Sequence, residues 1–146
     1  MKQFQLTRNM LFHFLKNVEE KAADVQPEGF NNTIHWHIGH VLVTAEQFMF
    51  GYPKMSTNLP ASYKEMFATG SKPADWQGEV PSMEQLIHDL EDQSSRIQAL
   101  SDEFFAKPIP FKFPFGNIET YSDLYTFMTY HEADHLGQMR AMKKLV

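Results

Sequence analysis

The sequence predicts an all-α fold built on four long helices, and three observations carry that expectation. Apolar residues recur at three- and four-residue spacing in four separate segments. Each segment is bounded by cap-forming or helix-breaking residues. The one stretch where apolar residues alternate, 104–120, is cut by Pro108, Pro110 and Pro114. A first helix is expected over residues 3–23, with Phe4, Leu11, Leu15, Val18 and Ala22 at helical spacing and Gln26-Pro27-Glu28-Gly29 as its stop. A second starts near Asn31-Asn32-Thr33, all good N-cap residues, and carries Ile34, Ile38, Val41, Ala45 and Phe48 on one face. It stops at Gly51-Tyr52-Pro53.

Residues 51–81 are rich in Pro, Gly, Ser and Thr, with room for a short helix from Pro60 to Thr69. A connection of that length suits a crossover between helices or a lid. The third helix starts at Ser82 with Gln85 three residues on, a capping-box pattern, and its stripe includes Leu86, Ile87, Leu90, Ile97 and Leu100. The 104–120 segment is expected to be an extended arm whose aromatics pack the end of the helices rather than contact a ligand. The fourth helix begins near Thr120 or Ser122 and runs almost to residue 146.

With 146 residues, of which 42% are hydrophobic, including 13 Phe and 9 Met, one domain spanning 1–146 with a substantial core is expected. A net charge of −5 with scattered Lys and Arg gives no general attraction to phosphate backbones, so nucleic acid is not an expected partner. No apolar run approaches the roughly 18 residues of a membrane span, and no secretory leader is visible; a cytoplasmic location without membrane contact is expected. Cysteine is absent. That removes disulfides, thiolate ligands and a cysteine nucleophile together, so any thiol chemistry draws on a thiol brought by a substrate.

The chemistry concentrates in histidine. His131, Glu132, Ala133, Asp134 and His135 lie in the fourth helix, and two imidazoles four residues apart share one helix face. A wheel puts the apolar stripe through Tyr121, Leu124, Met128, His135, Met139 and Met142, with His131 at its edge. Such a pair is a bidentate nitrogen site for zinc, nickel, iron or copper. A third ligand is expected from the second helix, which holds His35, His37 and His40. Spacing alone favours His37, which lies nearest the stripe of Ile34, Val41 and Phe48. His35, His13 and His88 are expected to face solvent.

His131-Glu132-x-x-His135 is also literally the zincin pattern, in which the glutamate is the general base. Its surroundings differ: only 11 residues follow His135, and Gln138 and Ala141 stand where metzincins need Gly and His. Glu132 is therefore carried as a candidate catalytic base or ligand-supporting carboxylate, with a helix-surface role as the alternative. Asp134 is expected in solvent, and Glu46 reaches the site only if the second helix turns His40 inward.

The spacing Thr33-Ile34-His35-Trp36-His37-Ile38-Gly39-His40-Val41-Leu42, followed by His131-Glu132-Ala133-Asp134-His135-Leu136-Gly137-Gln138, resembles the DinB/YfiT-like metalloenzyme family along nearly the whole chain. The resemblance implies a four-helix bundle with a long connection between helices two and three, often a homodimer. It implies metal ligands at His40, His131 and His135, and a divalent ion: zinc or nickel first, with iron, manganese or copper as alternatives. It further implies a transferase that joins a small thiol of the bacillithiol type to a small electrophile. A metal-dependent hydrolase and a non-catalytic metal-binding stress-response bundle are the other expectations.

Overall fold

The computed structural model describes residues 2–146. Four long helices are joined by three short ones: α1 (Lys2–Leu15), α2 (Glu20–Ala23), α3 (Ile34–Phe50), α4 (Ala61–Phe67), α5 (Met83–Gln98), α6 (Asp102–Ala106) and α7 (Tyr121–Lys143). Among the described residues there is no strand, only an isolated antiparallel bridge between Pro108 and Thr120. The all-helical class is as expected.

The long helices close a ring. α7 packs on both α1 and α3, and α5 packs on the same two helices from the other side. The apolar core inside the ring falls into two clusters. One gathers Leu11, Ile38, Leu42, Leu90, Leu136 and Met139, with the Phe67 ring. The other gathers Phe4, Ala45, Met49, Ile97, Leu124 and Met128. Each long helix places a buried polar residue at or next to the junction of the two clusters: Arg8, Glu46, Gln93 and Glu132.

These four side chains bond to one another. The Arg8 guanidinium grips Glu132 with Nε to Oε1 at 2.5 Å and a second nitrogen to Oε2 at 2.9 Å. It also donates to Gln93 Oε1 at 3.1 Å, and Gln93 donates in turn to Glu46 Oε2 at 2.9 Å and to the Leu42 carbonyl at 2.9 Å. Arg96 closes the Glu46 end at 3.1 Å to each carboxylate oxygen. A buried charge is tolerated only when paired and hydrogen-bonded, and here the pairing fixes the relative heights of all four helices.

The clusters also give direction. α1 and α7 run from the second cluster to the first, whereas α3 and α5 run from the first to the second. α3 and α5 are thus parallel neighbours, and the chain between them must travel back the length of a helix. That is why residues 51–82 are long, punctuated by proline and glycine, and hold only α4 and a 3₁₀ turn at Pro73–Asp75.

Several caps fall where the sequence puts them. Thr33 accepts from Trp36 N at the start of α3, and Ser82 from Gln85 N at the start of α5. The Gln85 side chain does not return to the cap; it donates to Asp89. The full capping box is at α7, between Thr120 and Asp123.

Two elements differ from expectation. The first helix ends at Leu15, not residue 23, because the backbone tightens to three-residue bonds (Asn17 N to Phe14 O, Val18 N to Leu15 O) and α2 sets off separately. Val18 and Ala22 continued the spacing across a change of direction. The 104–120 arm begins inside α6, capped by Ser101 with Asp102 and Glu103 in its first turn, and the remainder doubles back through Ile109 N to Glu119 O at 2.9 Å.

Candidate metal centre

α3 is buried on all sides over its first nine residues, Ile34 to Leu42, because α2, α4, α5 and α7 all lie against it. A helix without a wet face gives a wheel nothing to orient on, so the choice among His35, His37 and His40 rests on contacts. His40 Nδ1 lies 2.8 Å from the Phe67 carbonyl, and Trp36 stacks flat on its ring, 4.6 Å between centroids at 9°. Gly39 makes this anchorage possible. A Cβ there would stand only 2.2–2.4 Å from three Phe67 ring carbons, so only glycine lets α4 come close enough for Phe67 to reach His40.

Across the interface, α7 presents His131 and His135, both half-buried. His40 Nε2 is 3.2 Å from His131 Nε2, and His135 Nε2 is 3.1 Å from His131 Nε2. The three side chains thus bring one nitrogen each to a common point, all within 4.8 Å of one another. His37 stands behind this group, its Nδ1 2.7 Å from His135 Nδ1.

Burial and mutual repulsion keep the imidazoles neutral. Desolvation, then the positive charge His40 would carry, lowers His131 to about 4 against a small opposing pull from Asp134. His37 is lowered to about 4 by burial first and His40 second. His135 falls to about 2, through burial and then His131, His40 and His37. His40 is lowered by burial despite the Phe67 carbonyl, which favours its protonated form. At neutral pH each Nε2 can therefore offer a lone pair, provided Nδ1 holds the ring proton. On His40 that proton is donated to Phe67 O. On His135 it is donated to His37 Nδ1, which leaves the His37 proton on its own Nε2.

The family model described as the DinB superfamily matches residues 3–139, a span that takes in both histidine segments. The chain belongs to the DinB superfamily. No curated protein matches it.

This DinB chain has a donor set that fits a divalent metal. Nitrogens at about 2.0–2.1 Å from a tetrahedral zinc stand about 3.3–3.4 Å apart, close to the 3.2 and 3.1 Å found here. Neutral imidazole suits zinc, nickel, iron and copper alike. The group holds His40, which the family resemblance implied, and not His37, which spacing favoured.

The other sequence candidates fall elsewhere. Glu132, carried above as a base, points away from the histidines into the Arg8 fork and is 1% exposed. The buried face of α7 keeps Tyr121, Leu124, Met128, Met139 and Met142 of the expected stripe and adds Tyr125, Glu132 and Leu136, so His135 lies at its edge and not its middle. Glu46 is spent on Ser56, Asn58, Gln93 and Arg96; burial would raise its pKa, but these hydrogen bonds together hold it below the usual carboxylate range.

His35, expected in solvent, is buried: its Nδ1 is 2.7 Å from Asp24 Oδ1 and its Nε2 2.8 Å from the Pro81 carbonyl. It ties α2 and the start of α5 to α3, a role the helical wheel could not show. His13, His88 and Asp134 are exposed. The arm's Phe113 packs on Phe48 and Phe127, and the Phe127 ring lies 6.3 Å from that of His131, so these aromatics wall the site's outer side. Trp36, Gly39 and Phe67 are the supporting residues the sequence reading missed. The glycine one residue before His40 was the available signal.

Proposed function

We propose that this chain is a metal-dependent transferase on a DinB four-helix bundle, joining a small thiol of the bacillithiol type to an electrophilic compound. The observation that carries the reading is the convergence of three neutral Nε2 atoms from His40, His131 and His135. Those residues would hold the ion. When bound, a divalent ion with only three neutral protein ligands keeps its positive charge and an open position, and so lowers the pKa of a thiol or water.

The chain's own residues supply placement. Phe67 and Trp36 fix the His40 ring, and His37 fixes His135. Phe127 and Phe113 pack together on the α7 side, beside His131. No side-chain thiol is present to compete, since cysteine is absent. The net reaction forms a sulfur–carbon bond, releases the thiol proton to solvent and expels the electrophile's leaving group.

Thiol transfer is favoured over hydrolysis because the clustered groups are three imidazoles with no carboxylate among them, and Glu132 is held by Arg8. A homodimer belongs to this proposal on family grounds; a monomer mass by light scattering would contradict it. The test incubates zinc- or nickel-loaded protein with bacillithiol or glutathione and 1-chloro-2,4-dinitrobenzene. Metal-dependent release of chloride and the aryl thioether is expected. Electrophile turnover that is equal without thiol would turn the reading to a hydrolase.

A further inference from the structure

A cavity of about 250 Å³ lies between α3 and the crossover, and no histidine is part of its wall. Val43, Thr44 and Gln47 form its α3 wall, and Leu59, Ala61 and Ala68 its other side. Two relations tie it to the metal centre. Val43 and Thr44 follow His40 by three and four residues, so the helix face that carries His40 continues into the cavity wall. Ala68 follows Phe67, whose carbonyl holds His40.

The lining surface is mostly apolar, and its one cation, Lys64, is exposed to solvent. Its carboxylate, Glu46, already accepts from Ser56, Asn58, Gln93 and Arg96 and has nothing left for an ionic ligand. The volume is below the roughly 300–1,000 Å³ of pockets for drug-sized ligands, which limits the occupant to one or two rings.

We propose that this cavity binds the uncharged apolar part of the electrophilic cosubstrate, a small aromatic or branched aliphatic group, with the reacting end directed along α3 toward His40. The assignment to a cosubstrate rests on the transferase reading; the binding of an apolar molecule does not. Filling the cavity from its rim, where Ala61 is exposed at the first turn of α4, leaves the histidines and their anchors untouched.

Indole, a neutral two-ring probe, is titrated into the full chain and followed by amide NMR, with zinc uptake measured on the same samples. Saturable shifts at Val43, Thr44, Gln47 and Ala68 are expected, weakened about tenfold or more by Ala61→Phe and by Leu59→Trp, with zinc uptake unchanged. Indole shifts elsewhere only, or equal binding by both filled variants, would overturn the cavity as a site while zinc uptake leaves the metal reading standing. Indole binding in the cavity of a protein that takes up no zinc would overturn its assignment to a metal-dependent cosubstrate.

Discussion

His37 and His135 meet Nδ1 to Nδ1 at 2.7 Å, so one of the two rings must donate and the other accept. If His135 Nε2 is to face a metal, His135 must be the donor, and His37 is the residue that selects that tautomer. Partners of this kind orient a ligand without touching the ion. His37→Ala is expected to lower zinc affinity roughly 10–100-fold while keeping near-stoichiometric binding at saturation. Competition with a chromophoric chelator measures it; affinity equal to wild type would remove His37 from the site's support.

Glu132 is predicted to act on stability and not on the metal. Glu132→Leu leaves the Arg8 guanidinium buried without its anion, which costs about 3–5 kcal/mol. Adding Arg8→Met should restore most of that loss, because the pair is then replaced by apolar groups of similar size. Urea unfolding of the two variants checks the magnitude. Zinc lost by Glu132→Leu with unfolding free energy unchanged would place the carboxylate in the site instead.

Gly39→Ala is expected to push the Phe67 ring from α3 and with it the carbonyl that accepts from His40. Overpacking of this kind costs about 1–3 kcal/mol, and weaker zinc binding should accompany it. By contrast, a Cβ at Gly137 meets nothing within 4 Å, so Gly137→Ala should leave zinc binding unchanged and raise stability by about 0.5–1 kcal/mol. Similar behaviour of the two variants would contradict the packing account.

Acid should unfold the metal-free protein through these histidines. Their folded values lie at about 4 for His37 and His131 and about 2 for His135, below the usual 6.5. Below 6.5 the unfolded chain binds protons that the folded chain refuses. Stability therefore rises with pH between about 4 and 6.5 and is lost as the pH falls through that window. Urea midpoints at intervals from pH 7.5 to 4 should show this slope in wild type and a shallower one in the His131→Ala, His135→Ala double variant. Parallel slopes would show that other groups govern the acid response.

Much of this was legible in the sequence, and the misses share a cause. The helix caps at Thr33, Ser82 and Thr120 and the His131–His135 pair were readable because they depend on local spacing. On α7 the stripe was read correctly at Tyr121, Leu124, Met128, Met139 and Met142, but Glu132 was not placed inside it, because only Arg8, 124 residues away in sequence, makes its burial possible. Likewise His35 and His37 could not be sorted on α3, since burial on every side erases the amphipathic signal. What failed in each case was the assumption that polar residues mark the wet face.

Metal content decides the central claim most directly. Wild type, His40→Ala, His131→Ala and His37→Ala, all without a histidine tag, are loaded with zinc or nickel, desalted and analysed for metal per chain. About one ion per chain in wild type and in His37→Ala, with loss in both His40→Ala and His131→Ala, is the predicted result. Retention of the ion by His40→Ala, or failure of wild type to take one up, would contradict it.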